Sequence, residues 1–405
     1  MKDKICRDCT CIIQSYLTSK EYIRTLKISK KFLNYEDNVI NNKVFHYNKN
    51  EPLVEWCKSI TMSSNIRDKD IENSIQLRNI TIDCYDNRNI TDEGIKKLTN
   101  LTELEINSDS ITDKSISLLI NLRRLTMIAF NENITDDSIK NLTKLEVLKL
   151  GYPGWDEYNS IITGKSICFL TQLKKLSLGY TIFDDSHIIN LINLKSLSLG
   201  TRSTVTGNGL KNISNLTKLN IEDNNLINNE CLSHLKNLLF LDLGDNNIIN
   251  DMGICKLSSL ISLKLSYNQN ISDAGICNLI NLTHLDISCT SHITDCSIKH
   301  LTNLRFLKLN NSHISDLSIC FLTNLTTLRL GLNLLVSDMS ICSLTNLDTL
   351  YLQSNTLITP YSVSLLNNLT QLDIGSNNNF SNISSLSLSI SKYGNPLRSE
   401  ERRVG

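Results

Sequence analysis

The sequence predicts an α/β solenoid: a curved parallel sheet on the concave side, short helices or 3₁₀ turns on the convex side, and a small helical module in front. Three observations lead there. The pattern L-x-x-L-x-L returns at Leu77, Leu101, Leu122, Leu145, Leu173, Leu194, Leu216, Leu238, Leu260, Leu282, Leu304, Leu325, Leu347 and Leu369, mostly 21 or 22 residues apart. Each copy is followed by a second pattern, I-T-D-x-S-I-x-x-L, whose apolar positions have helical spacing. A unit this small cannot bury its own leucines, so neighbours must stack to make one continuous core.

Within L-x-x-L-x-L the apolar residues alternate, which makes the segment a short strand with its leucines turned inward. Leu241 with Leu243 and Leu263 with Leu265 are such pairs. A degenerate unit begins at Cys57, with Ile60 and Met62 in its strand, so the repeats run over 57–390 in about fifteen units. Three residues past the strand an Asn recurs at Asn224, Asn246, Asn268, Asn333, Asn355 and Asn377. A buried Asn there satisfies turn backbone that no strand pairs, so the column reads as a hydrogen-bonded ladder.

The second half of the unit carries an Asp column: Asp68, Asp92, Asp113, Asp136, Asp185, Asp251, Asp273, Asp295, Asp316 and Asp338. An acceptor just before an apolar i, i+3 pair reads as a helix N-cap, which accounts for the row of acids without a metal. Five cysteines (Cys168, Cys255, Cys277, Cys320 and Cys342) each follow the core aliphatic and read as small apolar filler between helices.

So many agreeing columns, over about residues 57–380, resemble leucine-rich repeats. With ~4.8 Å between strands, the resemblance implies a curved sheet on the order of 70 Å long. A surface of that extent suits a protein or peptide better than a metabolite. The expected function is therefore a non-enzymatic protein-binding scaffold, and no cofactor is expected.

Binding is expected on the concave face. One outward column reads Glu105, Thr126, Lys149, Ser177, Ser198, Asn220, Asp242, Lys264, Asp286, Lys308, Arg329, Tyr351 and Asp373. The alternating charges from Asp242 to Lys308 read first as cross-strand pairs, and otherwise as a recognition face. A second outward column holds Phe240, His284 and Phe306. Aromatics and Arg are enriched among interface anchors, so Phe240, Phe306, Arg329 and Tyr351 form the expected contact cluster. The unit at Leu145 is 28 residues long, with its excess in the 151–158 loop. Tyr152, Trp155 and Tyr158 there either pack on the repeats or serve as a specificity element.

Composition excludes several classes. Lys+Arg and Asp+Glu stand at 41 each, so no net field favours nucleic acid. No apolar run reaches a membrane span or a secretory signal, and thirteen cysteines read as reduced thiols, which together point to a cytoplasmic protein. Sequons such as Asn100-Leu101-Thr102 and Asn281-Leu282-Thr283 read as repeat positions and not as glycan sites. No nucleophile–base–acid set, phosphate loop or metal motif is present, since Cys6-x-x-Cys9-x-Cys11 has no second ligand pair near it. The richness in Asn, Ile and Lys fits an AT-rich genome such as that of an amoeboid protist or a large DNA virus, and a viral product would act in the host cytosol.

Residues 1–50 do not follow the repeat spacing. Ile12, Ile13, Tyr16 and Leu17 share one helical face, and Tyr22, Ile23 and Leu26 begin another after Thr18-Ser19. The segments Ser15-Tyr16-Leu17 and Lys27-Ile28-Ser29-Lys30-Lys31-Phe32 resemble the F-box, although Cys6 to Cys11 stands where its Leu-Pro opening would be. Ile90-Thr91-Asp92-Glu93-Gly94-Ile95 is similar to repeats of F-box/leucine-rich-repeat proteins. That resemblance implies a substrate receptor of a Skp–cullin ubiquitin ligase, with Ile12, Ile13, Tyr16, Leu17, Ile23 and Leu26 against a Skp-type linker protein. The alternatives are a plain cap on the first repeat, which leaves a general binding module, or an internalin-like adhesion protein. The tail, residues 398–405, resembles a translated sequencing adapter and is expected to be non-native.

Overall fold

The computed structural model describes residues 45–47, 59–62, 66–82, 89–128, 131–151, 161–179, 181–200, 203–222, 224–310, 312–353, 355–375, 377–380 and 389–391. The helical module with Ile12, Ile13, Tyr16, Leu17, Ile23 and Leu26, the residues Tyr152, Trp155 and Tyr158, and the tail lie outside them. The chain divides into two compact units, Met1–Tyr152 with Glu157–Leu173 and Pro153–Asp156 with Lys174–Gly405.

In the first unit six strands, β1 (Phe45–Tyr47), β2 (Ser59–Met62), β3 (Asn79–Ile82), β4 (Glu103–Ile106), β5 (Arg124–Met127) and β6 (Val147–Leu150), pair parallel in chain order. In the second unit β7 (Lys175–Ser177), β8 (Ser196–Ser198), β9 (Lys218–Asn220), β10 (Phe240–Asp242) and β11 (Ser262–Lys264) do the same. They are continued by β12 (His284–Asp286), β13 (Phe306–Lys308), β14 (Thr327–Arg329), β15 (Thr349–Tyr351), β16 (Gln371–Asp373) and β17 (Ser389–Ser391). The register keeps equivalent residues abreast: Leu241 pairs with Leu263, Leu263 with Leu285, and Leu307 with Leu328. Column therefore equals row in space, and the inward leucines are buried. Each such burial contributes about 1.5–3 kcal/mol.

Opposite the strands, each unit carries a helix of mostly four residues, such as Asp92–Ile95, Asp316–Ile319 and Asp338–Ile341. The Asp column is not the N-cap. That role belongs to the residue before it: Thr91, Thr112, Thr135, Ser272, Ser315 and Ser337 accept from the backbone N–H two residues on. The Asp, at the first helical position, instead reaches forward into the following repeat. In the first unit, Asp68, Asp92, Asp113 and Asp136 accept through Oδ1 from the backbone N–H of Thr91, Thr112, Thr135 and Thr163, at 2.7–2.8 Å. Their Oδ2 atoms accept the same threonines' hydroxyls at 2.6 Å. Asp251, Asp273, Asp295, Asp316 and Asp338 repeat both bonds in the second unit, at 2.8–3.0 Å and 2.5–2.6 Å.

Burial raises the carboxyl pKa in this setting, but the hydroxyl and N–H donors outweigh it. They hold Asp92, Asp273 and Asp316 below the usual carboxylate value. Ser115, Ser297, Ser318, Ser340 and Ser362 add a hydroxyl to the Oδ1 of the preceding repeat's Asp. Where Gly94 or Gly275 stands at that position, a Cβ added to its backbone would lie 2.5 or 2.4 Å from the Asp oxygen, so a side chain there requires the local shift that the serine-bearing repeats make.

Two Asn ladders complete the stack. The buried Asn355 donates to the Asn333 carbonyl at 2.8 Å, while its own Oδ1 accepts from Leu357 and Ile358. Asn268 and Asn377 likewise donate to the carbonyls of Asn246 and Asn355. The second ladder explains the sequons. Asn100 and Asn281 donate to Ile75 and Ser258 of the preceding repeats at 3.0 and 2.9 Å, and Thr102 and Thr283 donate to Arg78 and Ile261.

Candidate functional site

The side chains left over by this scaffold are those at the first and third strand positions, which face away from the buried leucines. In the third column, Lys264 pairs with Asp242 at 2.9 Å and Lys308 with Asp286 at 3.1 Å. The alternating charges are thus cross-strand pairs. Asp286 is committed further, since its Oδ1 accepts from the Ser288 N–H at 2.9 Å.

Beyond Lys308 the column changes character. The guanidinium of Arg329 lies 4.3 Å from the ring centroid of Tyr351 on the next strand and 5.7 Å from that of Phe306 on the preceding one. Phe306 stacks in turn on His284, with centroids 5.9 Å apart and planes 17° from parallel. Three of the four residues expected to form a contact cluster therefore meet, joined by His284, into one aromatic and cationic row. Phe240 is exposed but sits apart, with Lys218 over its ring at 6.0 Å. Register explains the split: Ser262, which has no ring, lies between Phe240 and His284.

On the helical side the second helical position shows a pattern that the strand columns do not signal. It reads Lys69, Glu93, Lys114, Asp137, Lys165, Ser186, Asn208 and Glu230, then Met252, Ala274, Cys296, Leu317, Met339 and Tyr361. These last six are exposed, with Met252 and Met339 each at 74% and Leu317 at 71%. The signal was present as a change from polar to apolar at one repeat position.

Among the described residues, Cys168, Cys255, Cys277, Cys320 and Cys342 are half-buried free thiols at the ends of short helices, whereas Cys231 lies within a helix and the exposed Cys296 at the second position of another. Burial pushes the Cys231 thiol up to about 11 and that of Cys168 upward as well, away from thiolate chemistry. Among the described residues there is no cluster of three His, Cys, Asp or Glu that could hold a metal ion, and no helix is long and apolar enough to cross a membrane.

Parallel strands in register, short capped helices and Asn ladders define a leucine-rich-repeat solenoid. No family model matches the chain, and no curated protein does. Among solved structures it is similar to a leucine-rich-repeat protein of Leptospira interrogans, at 22% identity over 80% of this chain and 92% of that one, with a TM-score of 0.52. It is also similar to an internalin of Listeria monocytogenes, at 24% identity over 75% of this chain and 83% of that one, with a TM-score of 0.47. A third is the leucine-rich-repeat ectodomain of a plant membrane receptor kinase from Arabidopsis thaliana, solved in complex with Casparian strip integrity factor 2. There the identity is 21% over 79% of this chain and 44% of that one, and the TM-score is 0.45.

Proposed function

We propose that this chain is a non-enzymatic protein-interaction scaffold that receives its partner on the outward sheet face of the second unit. The observation that carries the reading is the row His284, Phe306, Arg329 and Tyr351, in which rings and a guanidinium are held against one another at the surface. Such residues contribute nothing to the buried leucine core, and aromatic and Arg side chains are the commonest anchors of protein interfaces. The test is selection of peptides from a random display library on the full chain. Photo-crosslinking of a selected peptide then compares benzoyl-phenylalanine at Thr327, on this face, with the same residue at Glu230, on the helical side. Adducts from Thr327 alone support the proposal, and adducts only from Glu230 refute it.

A finer reading makes the scaffold a cytoplasmic substrate receptor of a Skp–cullin ubiquitin ligase. It is supported by Ser15-Tyr16-Leu17 and the Lys27–Phe32 stretch. Co-expression with a eukaryotic Skp-type linker tests it. Co-purification that Leu17→Asp and Tyr16→Ala abolish supports the receptor. A folded chain that never co-purifies leaves a general binding module.

A further inference from the structure

We infer that Arg329 is the seat of a side-chain carboxylate, an Asp or Glu in an extended acidic segment laid across the outward sheet face. The inference rests on the reading that this face binds protein. Tyr351 and Phe306 flank the guanidinium at 4.3 and 5.7 Å. Two rings within cation–π reach restrain an otherwise loosely held side chain, and its N–H groups make no hydrogen bond among the described residues. Among the described residues that guanidinium makes no ion pair, although Arg329 is exposed and bears a charge it cannot lose.

The surroundings select the charge of the occupant. From Phe240 to Asp373, the other cations of the outward columns are Lys264 and Lys308, and Asp242 and Asp286 already neutralise them at 2.9 and 3.1 Å. Asp373, two strands beyond Arg329, turns its Oδ1 to the Gly375 N–H at 2.9 Å. Arg329 is thus the cation of these columns without a carboxylate partner, although their formal charges sum to zero. It matches a single carboxylate, whose two oxygens meet the guanidinium edge in a bidentate pair. A phosphate dianion would call for a second unpaired cation in these columns.

The test uses fluorescein-labelled nonapeptides Gly-Ser-Tyr-Ser-X-Ser-Tyr-Ser-Gly, with X as Glu, Gln or phosphoserine, titrated by anisotropy into the full chain. The Glu peptide is expected to bind about tenfold tighter than the Gln peptide. In Arg329→Gln that preference disappears, and Arg329→Lys restores only part of it, because an ammonium has no planar fork. A circular dichroism spectrum and melting point unchanged from wild type confirm that each variant folds. Equal affinity for Glu and Gln, a Glu preference that survives Arg329→Gln, or no binding of the Glu peptide at millimolar concentration would each overturn the inference. Tighter binding of the phosphoserine peptide would also overturn it, in favour of a phosphorylated partner. If Glu and Gln peptides bind alike and both are lost in Phe306→Ala, the face still binds protein and only the carboxylate assignment fails.

Discussion

Asp338 holds Thr359 of the following repeat at two points: its Oδ1 accepts the Thr359 backbone N–H at 2.8 Å and its Oδ2 accepts the Thr359 hydroxyl at 2.6 Å. Thr359 is itself the cap of its own helix, accepting from the Tyr361 N–H. The order of a cap in one repeat is therefore set by a carboxylate in the repeat before it. Asp338→Ala leaves the Thr359 N–H and the Thr359 and Ser362 hydroxyls without that acceptor. The expected loss is about 1–3 kcal/mol in urea denaturation, with Asp338→Asn losing less because one oxygen remains. An Asp338→Ala midpoint equal to wild type would remove the carboxylate from any part in stacking.

The same bonds set an acid limit. Asp92, Asp273 and Asp316 have folded pKa values below the ordinary one, because hydroxyl and backbone donors overcome the effect of burial. The unfolded chain, whose aspartates titrate near 3.9, thus takes up protons first as pH falls. The contribution is complete above about pH 5, declines below pH ~4, and is gone once the folded carboxyls protonate. Urea midpoints at pH 7, 5 and 3.5 are expected to be level between the first two and to fall at the third. Asp316→Asn flattens that fall.

Gly200 packs directly against the backbone of Gly179 in the preceding repeat. A Cβ there would stand 1.6 Å from the Gly179 carbonyl oxygen, which is backbone and cannot step aside. Gly200→Ala is expected to cost at least about 2 kcal/mol, within the range for overpacking and strain, and to lower the thermal midpoint accordingly. A neutral result would mean that the two strand ends separate freely.

The exposed apolar residues on the helical side make no comparable claim on stability. Met252→Ser and Met339→Ser are expected to change unfolding free energy by less than about 0.5 kcal/mol. Leu328→Ala, in the buried column, is expected to lose about 2–5 kcal/mol.

The legibility of the fold followed from its repetition. Leu241, Leu263 and Leu285 announce strand, face and register together, because a period-two pattern repeated every 22 residues has one way to stack. The Asp column was visible but its partner was not. Asp92 bonds Thr112, twenty residues away, whereas capping rules describe only neighbours within a turn. The pairing of Asp242 with Lys264 followed from register, and so did the placing of Arg329 and Tyr351 on adjacent strands. The approach of Arg329 to the Phe306 ring did not follow, because it crosses between two columns and depends on side-chain torsions. Phe240 looked equivalent to Phe306 in the same column, and a serine between them is enough to separate the two.

The most direct test of the account sets the two sides of the second unit against each other. A peptide selected on the full chain is titrated into wild type, into the double variant Phe306→Ala/Tyr351→Ala, and into the triple variant Met252→Ser/Leu317→Ser/Met339→Ser. The account predicts that the sheet-face variant loses affinity at least about tenfold while the helical-side variant binds as wild type does. Undiminished binding by the sheet-face variant together with loss in the helical-side variant would contradict it.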